Sequence, residues 1–158
     1  MSDGTEPPAV ARVRDHAAGH GLDIRTLRFP DGTHTATDAA RAIGCEVGRI
    51  VKSLVFAVDG AAVVVLCSGA DRVDESLLRA ALGAAHVRRA TADEARRATG
   101  YVIGGVPPFG HGCPVLVDLR LLAFDLVWAA AGLPDTVFSI APAELERLSG
   151  ARTAAVAR

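Results

Sequence analysis

The dipeptide Asp59-Gly60 constrains the fold of this chain more than any other pair of residues. It joins two apolar, β-branched runs, Ile50 to Val58 and Ala61 to Cys67. Both of its residues tolerate the positive φ that a two-residue hairpin turn demands, so an antiparallel hairpin is predicted over 50–67. Helices are predicted around it. Pro7 and Pro8 open one that carries Val10, Val13 and Ala17 and closes at Gly19 and Gly21. Thr37 is expected to cap a second through Ala39, Ala40 and Ile43 to Gly44. Leu77, Leu78, Ala81 and Leu82 define a third, ended by Gly83, and Thr91 caps a fourth over Asp93 to Ala98 that Gly100 ends. The last begins at Pro142, runs through Leu145 and Leu148 and stops at Gly150.

Shorter extended stretches fill the intervals. They are Ile24 to Phe29, ended by the turn cluster Pro30-Asp31-Gly32, then residues around His86 and Val87, then Val115 to Val117. Phe124 to Ala130 and Thr136 to Ile140 flank the turn Gly132-Leu133-Pro134-Asp135. Hairpins interrupted by single helices, without regular βαβ alternation, predict an α+β fold: a mixed, mostly antiparallel sheet surrounded by helices. With 158 residues, half of them apolar and 22% charged, one domain over 1–158 is expected, and 150–158 read as a loosely held tail.

The charges narrow the function classes. Seventeen basic residues against eighteen acidic ones give a net charge of −1, which argues against coating duplex DNA through many phosphate contacts. A local contact with RNA is compatible with it. Three cysteines, at 45, 67 and 113, form no CxxC pair, so neither a disulfide framework nor a zinc ribbon is indicated. No apolar run is long enough to span a membrane, and the start MSDGTEPP does not resemble a signal peptide, so a cytoplasmic location is expected. No cofactor is called for.

Sixteen of the seventeen bases are arginine; the exception is Lys52. Strand alternation places it on the face of Leu54 and Phe56, beside apolar neighbours. A desolvated ammonium there suits holding a phosphate, a carboxylate or a carbonyl, or acting as a base when neutral. The plain alternative is an edge-strand lysine with its head in water. A second candidate is the stretch from Gly100 to Gly112, with five glycines and two prolines in thirteen residues. Glycines let backbone N–H groups approach a ligand and prolines hold the loop in shape, which suggests a preorganised cradle for an oxyanion. A structural turn is the simpler reading of the same residues. His111 and Cys113 flank Gly112 but lack a third ligand, so no metal is expected. Cys67 has no base beside it in sequence and reads as a buried structural thiol, and Asp118 ends a strand where it either caps the next turn or serves the site.

Thr35-Ala36-Thr37 leading a short helix, Gly48-Arg49-Ile50-Val51-Lys52-Ser53-Leu54-Val55-Phe56, the Thr99-Gly100-Tyr101 to Gly110 loop and Asp118 together resemble the YbaK family of prolyl-tRNA synthetase-associated editing domains. The resemblance runs from the first helix to Leu145-Glu146-Arg147-Leu148-Ser149-Gly150. It implies a freestanding deacylase that hydrolyses the ester of tRNA for proline mischarged with alanine, serine, threonine or cysteine. The family's lysine falls on Lys52 and its Gly-x-x-x-Pro motif on Gly104 to Pro108, with Pro107 where relatives often carry serine.

The catalytic set implied is Lys52, Gly104, Gly105, Pro108 and Gly110. Ser53, Ser68, Gly69, Val106, Pro107, Phe109, His111 and Asp118 are expected to contact substrate. The partners implied are the aminoacyl-tRNA acceptor end and prolyl-tRNA synthetase. A noncatalytic module that binds an aminoacyl or nucleotide end for a synthetase, and a hydrolase of another small aminoacyl ester, are the competing expectations.

Overall fold

A computed structural model describes residues 6–30 and 35–158; the expected turn residues Asp31 and Gly32 lie outside them. In chain order the elements are α1 (Pro8–Gly19), β1 (Thr26–Arg28), α2 (Ala36–Ile43), β2 (Val51–Val58), β3 (Ala61–Ser68), α3 (Glu75–Leu82), β4 (Val87–Arg89) and α4 (Ala92–Thr99). After a long loop come β5 (Val115–Asp118), β6 (Val127–Ala130), β7 (Thr136–Ile140), α5 (Pro142–Ser149) and β8 (Arg152–Ala154). Short 3-10 turns cover Val47–Arg49 and Leu119–Ala123.

The hairpin forms as expected. Asp59 at φ 48° and Gly60 at φ 86° make the turn, and β2 pairs with β3 in register from Val58↔Ala61 to Val51↔Ser68. Asp59 also secures the next segment, because its carboxylate accepts hydrogen bonds from the backbone N–H groups of Ala85 and His86 just before β4. Five strands in the order β4-β2-β3-β5-β8 form one sheet, and β1-β7-β6 form a second. Two of the pairings, β3 with β5 and β5 with β8, are parallel; the rest are antiparallel.

The two faces of the hairpin feed different cores. Val51, Val55, Val64 and Leu66 join the larger one with α1, α5, β6 and β7. Phe56, Val63 and Val65 pack on Leu78 of α3, Leu116 and Val156. Gly44, Gly83, Gly100 and Gly150 each end a helix in the left-handed conformation, the stops read from the sequence. Thr91 and Glu94 complete a capping box on α4.

Three details differ from expectation. Thr35, not Thr37, caps α2, its hydroxyl accepting from the N–H of Asp38 at 3.0 Å. Phe124 is not in a strand, because the 3-10 turn ends there and β6 begins only at Val127. The segment after Gly150, read as a loose tail, instead pairs with β5 through β8, and Val156 is fully buried.

Asp118 explains that last result. Only 1% exposed, it accepts from the N–H of Arg120 and, through its other oxygen, from those of Val156 and Ala157 at 2.9 and 3.0 Å. Asp118→Ala should therefore cost roughly 2 to 4 kcal/mol by stranding three buried or half-buried donors. Urea unfolding should show a lower midpoint with an unchanged m-value; a midpoint equal to wild type would refute the tether.

Candidate functional site

The site begins as a gap in a strand edge. β4 pairs with β2 only from Phe56 to Val58, and the last bond of that side runs from the N–H of Ala90 to the C=O of Val55. At the other end Ile50 is bridged to Trp128 of β6. Backbone groups alternate in direction along a strand, so the peptide N–H and C=O of Ser53 face the same edge as those of Val55, in the interval that β4 leaves unpaired. A cavity of about 290 Å³ occupies this interval.

Its walls are α2 (Ala36, Ala39), the β4–α4 corner (Arg89, Ala90, Ala95), the glycine loop (Ile103, Gly104, Val106), β6 (Trp128 to Ala130), Pro134 and Val137. Most of this lining is apolar. Lys52 and Arg89 are the charged residues in it, with no carboxylate.

Lys52 is held in place by a neutral group. Its Nζ donates to the backbone C=O of Asp71, and among the described residues it has no ion-pair partner. The Asp71 carboxylate is engaged by Arg120 at 3.2 Å rather than by Lys52. Ser53, on the opposite face of β2, lines the cavity with an Oγ that is sealed from solvent and unpartnered.

Ser68 and Gly69 stand behind this arrangement rather than in the lining. Ser68 Oγ donates to the C=O of Gly48 at 2.7 Å, and the N–H of Gly69 to the C=O of Ile50 at 2.7 Å. A Cβ on Gly69 would come within 2.5 Å of the Val47 carbonyl oxygen, so only glycine permits this approach. These contacts fix where β2 starts and hence where Lys52 points.

In the loop after α4, Gly104 and Val106 reach the cavity, while Pro107, Pro108 and Phe109 are buried away from its lining. Pro107, expected to contact substrate, therefore lies off the cavity wall. Gly105 packs against the turn after β6, where an added Cβ would lie 2.9 Å from the Gly132 oxygen. Its N–H is already bound to the C=O of Val102 at 2.9 Å, so Gly105 cannot serve as a free oxyanion donor. The N–H groups of Gly104 and Val106 have no acceptor among the described residues.

Further along, Gly110 abuts His16, whose ring stacks on Phe109 at 5.3 Å. His111 Nδ1 accepts from the N–H of Cys113, and the Nε2 atoms of His16 and His111 are buried without partners. Neither Gly110, His111 nor Asp118 enters the lining. Cys67, across from Lys52 in the hairpin, is fully buried, and burial pushes its thiol up to about 11 against the opposing pull of Lys52. It is protonated near neutral pH and is no nucleophile.

Sequence reasoning missed α2, Arg89-Ala90, Trp128 to Ala130 and Pro134 as lining. Trp128 did carry a signal, since it is the single tryptophan of the chain.

Residues 30–148 match the aminoacyl-tRNA editing domain family, a span that holds both Lys52 and the glycine loop. The chain is 31% identical to the uncharacterized protein YwhH of Bacillus subtilis over 89% of its own length and 91% of that protein's. It is 33% identical to a proline–tRNA ligase of Elusimicrobium minutum over 67% of its own length, which spans 18% of the ligase. A crystal structure of a candidate trans-editing enzyme for prolyl-tRNA synthetase superposes with a TM-score of 0.91 at 39% identity, covering 98% of this chain and 99% of that one.

The loop also carries a pH dependence. Burial, with a smaller contribution from His16, pushes His111 down to about 4, against about 6.5 for an unfolded histidine. Between those values the unfolded chain binds a proton that the folded chain does not. The stability contributed by neutral His111 is thus complete above about pH 6.5 and is lost as the pH falls toward 4. Urea midpoints should fall through this window for wild type and fall less for His111→Asn, which keeps an acceptor near Cys113; parallel curves would refute the assignment.

Proposed function

Because the chain belongs to the aminoacyl-tRNA editing domain family, we propose that it is a trans-acting deacylase that hydrolyses the ester of tRNA for proline carrying a small wrong amino acid: alanine, serine, threonine or cysteine. The observation that carries this reading is Lys52, an ammonium tied to a neutral carbonyl and lining an otherwise mostly apolar cavity with no carboxylate. A cation held this way suits an electron-rich ligand, such as a phosphate or the carbonyl oxygen of an ester.

Hydrolysis here needs no side-chain nucleophile. A water oxygen attacks the ester carbonyl carbon, negative charge gathers on the carbonyl oxygen, and the bond to the ribose oxygen breaks. That oxygen takes one proton of the attacking water and leaves as the terminal hydroxyl, while the amino acid departs as a carboxylate and the water's other proton passes to solvent. In this reading the N–H groups of Gly104 and Val106, two lining residues whose N–H groups have no acceptor among the described residues, meet the oxyanion, and Lys52 anchors the substrate. Preorganised donors of this kind typically contribute a few kcal/mol of transition-state stabilisation each.

Selection follows from size. A pocket distinguishes one methylene by only about 1 to 3 kcal/mol, so a synthetase that errs with small amino acids is corrected by a second site that excludes the larger cognate one. Small apolar residues, Ala36, Ala39, Val106 and Ala129 among them, make up much of the cavity wall, and in this reading the walls next to the ester exclude proline.

Incubating the protein with tRNA for proline charged separately with Ala, Ser, Thr, Cys and Pro should release at least one of the first four and spare Pro. Intact ester in every tube would refute the deacylase, and tight binding without turnover would favour the binding module. Lys52→Ala should lose activity by at least about a hundredfold while unfolding at the wild-type urea midpoint within error. Lys52→Arg, whose planar head cannot reproduce a point contact to one carbonyl, should also be impaired. Cys67→Ala should retain activity; its loss in a folded variant would indicate covalent catalysis.

A further inference from the structure

Trp128 is the single tryptophan of the chain and the one aromatic residue lining the cavity. Burial alternates along β6. Val127 and Ala129 are buried in the larger core, whereas Trp128 and Ala130 are half-buried; Trp128 to Ala130 all contribute to the cavity lining. The indole is backed by the cluster of Ala39, Ala40 and Ile50. Among the described residues no second ring and no cation stacks on it, and its N–H has no acceptor yet is not sealed off.

The cavity is larger than the aminoacyl group requires. Its 290 Å³ is roughly ten water-sized volumes at about 30 Å³ each, whereas an alanyl group has five heavy atoms. The remaining space is available to the part of the substrate that follows the ester, a ribose and its base. A supported, unpartnered indole is the surface on which a flat base gains most, and such stacking is tolerant of base identity.

We propose that Trp128 is the stacking platform for the terminal nucleobase of the acceptor end, with the aminoacyl group lodged beside Ser53 and Val106. The proposal rests on the reading of the cavity as an aminoacyl-tRNA site. Under it the base contributes affinity, and the walls around Ser53 and Val106 contribute amino acid choice.

The test uses 3′-alanylamido-3′-deoxyadenosine, whose amide resists hydrolysis, and the same ribose derivative lacking the base. With one tryptophan present, intrinsic fluorescence reports directly on the platform. The adenosine compound should quench it saturably, and the abasic compound should bind at least about tenfold more weakly by calorimetry. Trp128→Leu should raise KM for alanyl-tRNA by about tenfold or more with kcat within twofold. Trp128→Phe, which keeps a ring and guards against a misfolded leucine variant, should recover most of the affinity.

Calorimetric saturation without quenching, equal binding of the abasic compound, or a Trp128→Leu variant that alters only the choice between alanine and proline would overturn the platform. Binding of the amide is read without turnover. A protein that quenches but leaves every charged tRNA intact thus refutes the deacylase and keeps the platform, and one that deacylates without quenching refutes the platform alone.

Discussion

The β2–β3 hairpin supplies side chains to the two larger cores of the molecule, and its register is what everything else is built on. A slip of one residue would exchange the two faces, sending Phe56 and Val65 toward the larger core and Val51 and Val55 toward α3. Asp59-Gly60 prevents this by admitting one turn geometry, and the Asp59 carboxylate extends the same control to the approach of β4. Because β4 is short, the edge it covers is incomplete. The site is the uncovered remainder.

That origin accounts for the chemistry available there. An open strand edge presents backbone dipoles, neighbouring elements add mostly apolar walls, and Lys52 and Arg89 supply fixed positive charge. In such surroundings a cation with only a carbonyl partner interacts more strongly with a ligand than it would in water. The support for Lys52 is layered: Ser68 and Gly69 fix the start of β2, Asp71 offers its carbonyl, and Arg120 occupies the Asp71 carboxylate that would otherwise compete. The glycine loop is likewise divided in labour. Gly104 and Val106 face the cavity, whereas Pro107 to Phe109 anchor the loop in the core.

Local signals were legible in the sequence and convergent ones were not. The hairpin, the glycine helix stops and the rarity of Lys52 each depend on residues close together in the chain, where backbone preference decides. The cap of α2 was misplaced by two residues because Thr35 and Thr37 are chemically equivalent and only the backbone path chooses between them. The segment after Gly150 was misread because its order comes from Asp118, more than thirty residues earlier. Arg89, Trp128 and Pro134 escaped notice as cavity lining for the same reason, since no local pattern states that three distant segments meet at one strand edge. Ser68 and Gly69 were expected to contact substrate; they lie outside the cavity lining, and their bonds to Gly48 and Ile50 hold the start of β2.

The Asp118 tether has a kinetic consequence. The hairpin closes over a two-residue turn, but the loop that offers Asp71 to Lys52 is braced from afar, since Arg72 and Arg158 exchange backbone hydrogen bonds and Asp74 pairs with Arg158. Contacts spanning more than eighty residues carry a loop-closure cost and form slowly. The order of assembly that follows has the hairpin early and the lysine's anchor last, so a chain can bury most of its core before its candidate site is set.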